Sequence, residues 1–317
     1  MDAPGPASSP VAGPRPDRWP ALPVAGWQDT RDTLHLWTQV VGKVRLALAP
    51  PVNHWWQVPL YVTARGLTTS LMPHPGGLGV EVVLDLTGHE LLVQTTDGAT
   101  RRMALERRSV ADFHQEFRSC LRALGVDVPI SRTPVEVAEA IPFDEDHTHD
   151  SYDAEAVHRF WTSLVSGHRV LSEFRSRFRG KASPVHFFWG AFDLATTRFS
   201  GRAAAPHPGG VPNCPDWVMT EAYSEEVSSC GYWPGGASEG VFYAYAYPEP
   251  PGYRQSAVEP AAAAFDEALG EFVLPYADVR AAADPDAYLL RFLTSTHDAA
   301  VATAHWPEPV SASAARV

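Results

Sequence analysis

An α+β protein, internally duplicated into two antiparallel-sheet-plus-helix lobes about a pseudo-twofold axis, is the architecture that the residue pattern implies. Three observations lead there. Amphipathic helical stripes at both ends of each half enclose short alternating segments rich in turn signals. The stretch HWWQVPLYVTARGLTTSLMPHPGG at 54–77 is echoed by HFFWGAFDLATTRFSGRAAAPHPGG at 186–210. One inserted residue brings His54 onto His186, Thr63 onto Thr196 and Arg65 onto Arg198, and each block ends in Pro-His-Pro-Gly-Gly, read here as a repeated turn.

Residues 1–17 are Pro, Ala, Gly and Ser without an apolar period, so a disordered tail is expected. The first lobe, residues 18–140, begins with a helix from Asp29 whose stripe is Leu34, Trp37, Val41, Val44 and Leu48, stopped by Ala49-Pro50-Pro51. Strands are expected over 54–63 and 67–72. In GVEVVLDL, Val80, Val82, Leu84 and Leu86 share one face, the mark of a half-exposed antiparallel strand. Leu91–Thr95 and Thr100–Leu105 flank Asp97-Gly98, a hairpin signal. Ser109 then caps a helix carrying Val110, Phe113, Phe117, Leu121 and Leu124, with Asp112 in the fourth position of a capping box.

An acidic linker over 141–152 leads to the second lobe, residues 153–306, with a short C-terminal tail at 307–317. Val157, Phe160, Leu164, Leu171 and Phe174 form the stripe of a longer helix. Strands follow at 186–194, 217–227, 240–247 and 271–275, and Asp284-Pro285 opens the last helix with an N-cap and a proline at its first position.

The chain has 317 residues and a formal net charge of −12, which makes nucleic acid and anionic membrane poor partners and a small-molecule ligand, basic or neutral, the better one. No run approaches the roughly 18 apolar residues of a membrane span, and no signal peptide is written at the N-terminus, so a cytoplasmic location is expected. Three scattered cysteines without a Cys-x-x-Cys argue for free thiols. HExxH, the P-loop, GxGxxG after a strand and GxSxG are all absent.

Residues found in only one half mark a site more than residues shared by both, and the unmatched polar and aromatic residues concentrate in the second half. Tyr243, Tyr245 and Tyr247 alternate along one strand, which puts the three hydroxyls on one face. The resulting expectation is a small-molecule enzyme with an aromatic pocket. His186, Asp193, Glu221 and Glu226 are its acid–base groups, Arg198 and Arg202 its anion anchors, and Trp189, Tyr223, Trp233 and Tyr245 its walls. If the cofactor is a divalent metal, His186, His207 and Glu221 form the two-histidine, one-carboxylate set that would hold it. A non-catalytic binding protein using the same aromatic surface is the alternative.

SPVHFFWGAFDLATTRFSGR, EAYSEEVSSCGYWPGG, AYPEP and NHWWQVPLYVTARGLTTS together resemble the uncharacterised bacterial family called domain of unknown function 5996, over Trp19 to Trp306. The resemblance implies one intact family unit and carries no reaction or cofactor. The family pattern often places histidine where this chain has Glu225, so the resemblance implies no imidazole chemistry at that position.

Overall fold

The computed structural model describes residues 17–236 and 238–307. The expected tails lie outside these residues, apart from Asp17 and Pro307. Among the described residues, two six-stranded antiparallel sheets and six α-helices make an α+β fold.

Helix α1 (Gln28–Leu48) buries Leu34, Trp37, Val41 and Val44, the expected stripe, and ends before Pro50 because proline removes the next N–H. The first sheet follows as β1 (Tyr61–Val62), β2 (Gly66–Thr68), β3 (Met72–Pro73), β4 (Gly79–Asp85), β5 (Glu90–Thr95) and β6 (Thr100–Ala104). Its order is β1-β2-β4-β5-β6, with β3 also paired to β4. Val80, Val82, Leu84 and Leu86 are fully buried, as their alternation requires. Helix α2 (Val110–Ala123) starts where Ser109 Oγ accepts the Asp112 N–H at 3.1 Å.

The second half runs α3 (Ala154–Ser176), β7 (His186–Phe188), β8 (Asp193–Ala203), α4 (Asp216–Ala222), β9 (Glu225–Trp233), β10 (Val241–Tyr247), β11 (Ala264–Asp266), β12 (Glu271–Pro275), α5 (Tyr276–Ala281) and α6 (Pro285–Ala304). Asp153 caps α3 by accepting from the Glu155 and Ala156 N–H groups, and Asp284 caps α6. The sheet order is β11-β12-β10-β9-β8-β7. The first half is thus a long helix, an antiparallel sheet and a closing helix, whereas the second interrupts its sheet with α4, places β12 between β10 and β11, and closes with two helices.

The echoed words do not fall on equivalent positions. His54 lies in a 3-10 turn (Asn53–Trp55) with φ 57°, whereas His186 starts strand β7. Arg65 sits in the turn between β1 and β2, whereas Arg198 is inside β8. The strand expected over 54–63 is only Tyr61–Val62, because left-handed His54 and Trp55 turn the chain first. The Pro-His-Pro-Gly-Gly stretches both end in two left-handed glycines, Gly76 and Gly77, and Gly209 and Gly210. The expected strand at 217–227 is helix α4 followed by β9.

Both halves share one core. Trp19 packs on Phe242 and Tyr276, Trp27 on Phe160, and the Trp189 ring lies against Gly42 of α1, where a β-carbon would overlap it. Leu60, just before β1, exchanges two 2.9 Å backbone hydrogen bonds with Phe187 of β7, which joins the two sheets. The acidic segment 141–152 is packed as well. Phe143 is fully buried, and the buried Asp146 carboxylate accepts from His149 Nδ1 at 2.7 Å and from two backbone N–H groups.

Candidate functional site

Strands β8, β9 and β10 present alternate residues to two environments. One face carries Leu194, Arg198, Cys230, Tyr232 and Phe242 into the layer of α3 and α6. The other carries Asp193, Ala195 and Thr197 from β8, Ser229 and Trp233 from β9, and Tyr243, Tyr245 and Tyr247 from β10. This second face is roofed by the 53–58 turn, by Glu136, and by the 207–223 segment that includes α4. Between roof and sheet is a cavity of about 770 Å³, a size that suits a small molecule.

Its polar groups include two hydrogen-bonded pairs. Tyr243 donates its hydroxyl to Asp193, and Tyr223 and Tyr245 share a 2.7 Å hydroxyl–hydroxyl bond. Burial pushes Asp193 up to about 6 against the lowering effect of Tyr243. Glu136 and Glu271 are each pushed up to about 7, first by desolvation and then by the charge of Asp193. Glu136 is exposed whereas Glu271 is half-buried, so solvent screens the Glu136 carboxyl more and the upward push is firmest at Glu271. Burial also lifts the three tyrosines, Tyr223 to about 12 and Tyr243 and Tyr245 well above their ordinary value, so all three stay hydroxyl donors near neutral pH.

Four of the expected residues line this cavity as anticipated: Asp193, Tyr223, Trp233 and Tyr245. His207 also lines it, its ring lying 4.9 Å from Tyr223 and 5.2 Å from Tyr247, with Nδ1 accepting the Gly209 N–H. The other expected residues are elsewhere. His186 is fully buried among Trp56, Tyr61 and Phe188, and neither ring nitrogen has a hydrogen-bond partner. Burial, then the charges of Arg45 and Arg175, hold it down to about 3, so it is a neutral imidazole behind the cavity wall rather than a base within it.

Trp189 is not a wall residue: its ring packs on Gly42 of α1, and its Nε1–H donates to the Val58 carbonyl at 2.8 Å. Arg198 faces the helices, stacked on Phe174 and donating to the Phe174 carbonyl, and so cannot anchor an anion in the cavity. Glu226 and Arg202 pair with each other at 2.6 Å, and Arg202 also donates to the carbonyls of Ala304 and His305 at the end of α6. Glu221 accepts the His54 N–H at 3.2 Å and lies outside the cavity wall. The expected metal set of His186, His207 and Glu221 is therefore not assembled. Among the described residues no three His, Cys, Asp or Glu side chains are placed to hold a metal ion.

Sequence reasoning missed Glu136, Glu271 and the environment of His54. Glu136 came from an irregular segment and Glu271 from a strand end, and neither has a motif. His54 lines the cavity with Nδ1–H donating to the Ala222 carbonyl at 3.1 Å, while Lys181 Nζ donates to Nε2 at 2.6 Å and to Glu225 at 2.5 Å. Lys181 also lies over the Phe199 ring, 4.7 Å from its centroid. The signal for this cluster was the left-handed, unmatched conformation at His54, which no sequence pattern announces.

A model of the family of unknown function DUF5996 matches residues 19–312, nearly the whole chain. The chain belongs to that family. No curated protein and no solved structure matches this DUF5996 chain. Among the described residues no helix is long and apolar enough to cross a membrane. The three cysteines are free, and Cys214 lines the cavity of this DUF5996 protein.

Proposed function

We propose that this protein is an enzyme that takes a small molecule into the cavity on the second sheet and acts on it by proton transfer. One observation carries the reading: the hydrogen-bonded Asp193–Tyr243 pair shares an aromatic cavity with two further carboxyl groups that titrate near neutrality. All three carboxyl groups are raised toward neutrality, and because they repel one another's charge the set holds both a carboxylate base and a carboxylic acid in one space. Tyr243 orients the Asp193 carboxylate, and the Tyr223–Tyr245 pair supplies a further hydroxyl donor. The aromatic walls bind and exclude water, which strengthens each of these interactions.

The test starts from a soluble small-molecule collection screened by thermal shift, followed by NMR observation of each stabilising compound for conversion. Conversion by the wild type that falls at least a hundredfold in Asp193→Asn, with binding retained, supports the reading. Binding without conversion would favour a non-catalytic binding protein, a role to which the mutually satisfied Tyr223 and Tyr245 hydroxyls are suited.

We also propose that the two halves descend from one duplicated unit. What supports this is that each half opens on a long helix, builds a six-stranded antiparallel sheet and ends in a helix.

A further inference from the structure

We infer that the ligand of the cavity is an organic cation, an amine or quaternary ammonium group on a compact carbon skeleton. This rests on the reading of the cavity as a small-molecule site and names what that site selects.

Among the described residues the wall has no lysine and no arginine. Its carboxyl groups are Asp193, Glu136, Glu271 and, at the rim, Glu249, and only Glu249 is neutralised, by Arg254 at 2.8 Å. Asp193 has the Tyr243 hydroxyl, but Glu136 and Glu271 have no hydrogen-bond donor among the described residues. The nearby cations are otherwise engaged or set back. Lys181 is held by Glu225 and His54, and Lys43, which reaches toward Cys214 from α1, lies over the Phe143 ring outside the wall.

The remaining surface is aromatic, and the negative face of an aromatic ring attracts a cation. Phe188, Trp233, Tyr245 and Tyr247 line the space that Glu136 and Glu271 border, while Trp56 and Phe199 already carry Lys181 over one ring face. An anion entering there would meet like charge with no lysine or arginine among the described wall residues to compensate it. A neutral apolar molecule would cover both carboxyl groups and take their water away without pairing them. A cation satisfies both parts of the wall at once, and its arrival lets the raised carboxyl groups ionise.

The experiment compares probes of one shape and different charge by NMR titration of the full chain: choline, its neutral carbon isostere 3,3-dimethylbutan-1-ol, and 3,3-dimethylbutanoate, with benzyltrimethylammonium as a larger cation. We expect either cation to bind about tenfold or more tightly than the neutral alcohol, and the carboxylate to show no saturable binding. In the isosteric double variant Glu136→Gln/Glu271→Gln, checked for an unchanged melting profile at pH 5, that preference should fall to about threefold or less. Equal affinity for choline and the alcohol overturns the inference while leaving the cavity a small-molecule site. Tighter binding of the carboxylate, no saturable binding by either cation at tens of millimolar, or an unchanged preference in the double variant also overturns it. The catalytic reading is judged separately, by conversion in Asp193→Asn.

Discussion

His186 and the cavity carboxyl groups pull stability in opposite directions with pH. The raised groups Asp193, Glu136 and Glu271 favour the fold when protonated, so their contribution is full below their ordinary carboxyl values and is lost as pH rises through about 6 to 7. His186 and His297, held down to about 3 by burial, favour the fold when neutral. Their contribution is present above about 6.5 and is lost as pH falls toward 3. Because the histidines oppose the carboxyl groups below about pH 6.5, the reading is the difference between two proteins: from pH 5.5 to 8 the melting temperature of Glu136→Gln/Glu271→Gln should gain on that of the wild type, whose histidines are the same. A slope unchanged in the double variant would contradict the assignment of these carboxyl groups. His186→Leu should remove two unpartnered buried nitrogens and raise stability at pH 7 by about 1 to 3 kcal/mol less any packing strain, as read by urea unfolding. His54 is the opposite case. His54→Leu breaks the contacts to Ala222 and Lys181, so ligand affinity should fall along with stability.

Helices α2 and α4 mark the two extremes among the elements. α2 has an apolar face and a cap that sequence reading finds directly, and Ser109→Ala should cost about 1 kcal/mol by chemical denaturation through the loss of the Asp112 N–H partner. α4 has no buried residue and is held by Trp217 on Trp55, ring centroids 5.1 Å apart, and by the Glu221 carboxylate on the His54 N–H. The Trp217 residue is 62% exposed, so Trp217→Ala should change global stability by no more than about 0.5 kcal/mol. Amide exchange across 207–223 should quicken nonetheless, because the roof loses its ring contact while the sheet beneath is untouched. Unchanged exchange there would mean that α4 is anchored by something other than this stacking.

At the scale of the whole molecule, the apolar cluster runs without a break from Trp19 and Trp27 through α1 to α3, Phe160, Phe187 and the second sheet. The full chain should accordingly melt in one calorimetric transition, and residues 17–140 expressed alone should show no cooperative melt, since Trp19, Trp27 and Gly42 would lose their partners. Two separate transitions in the full chain would overturn this. Sequence alone determined the features set within a few neighbouring residues. These were the α1 stripe, the β4 alternation, the Ser109 and Asp284 caps, the left-handed glycine turns and the shared tyrosine face of β10, each of which follows from local periodicity or capping chemistry. Asp193, Tyr223, Trp233 and Tyr245 were legible for the same reason, since alternation and an unmatched polar concentration marked that sheet face. The tertiary structure alone decided that His186, Trp189, Arg198 and Glu226 lie outside the cavity and that Glu136, Glu271 and His54 belong to it. Which carboxyl groups share one desolvated space depends on how the 53–58 turn and the 134–137 segment fold over a sheet made far away in the chain, and long-range packing of that kind leaves no period in the residues that it brings together.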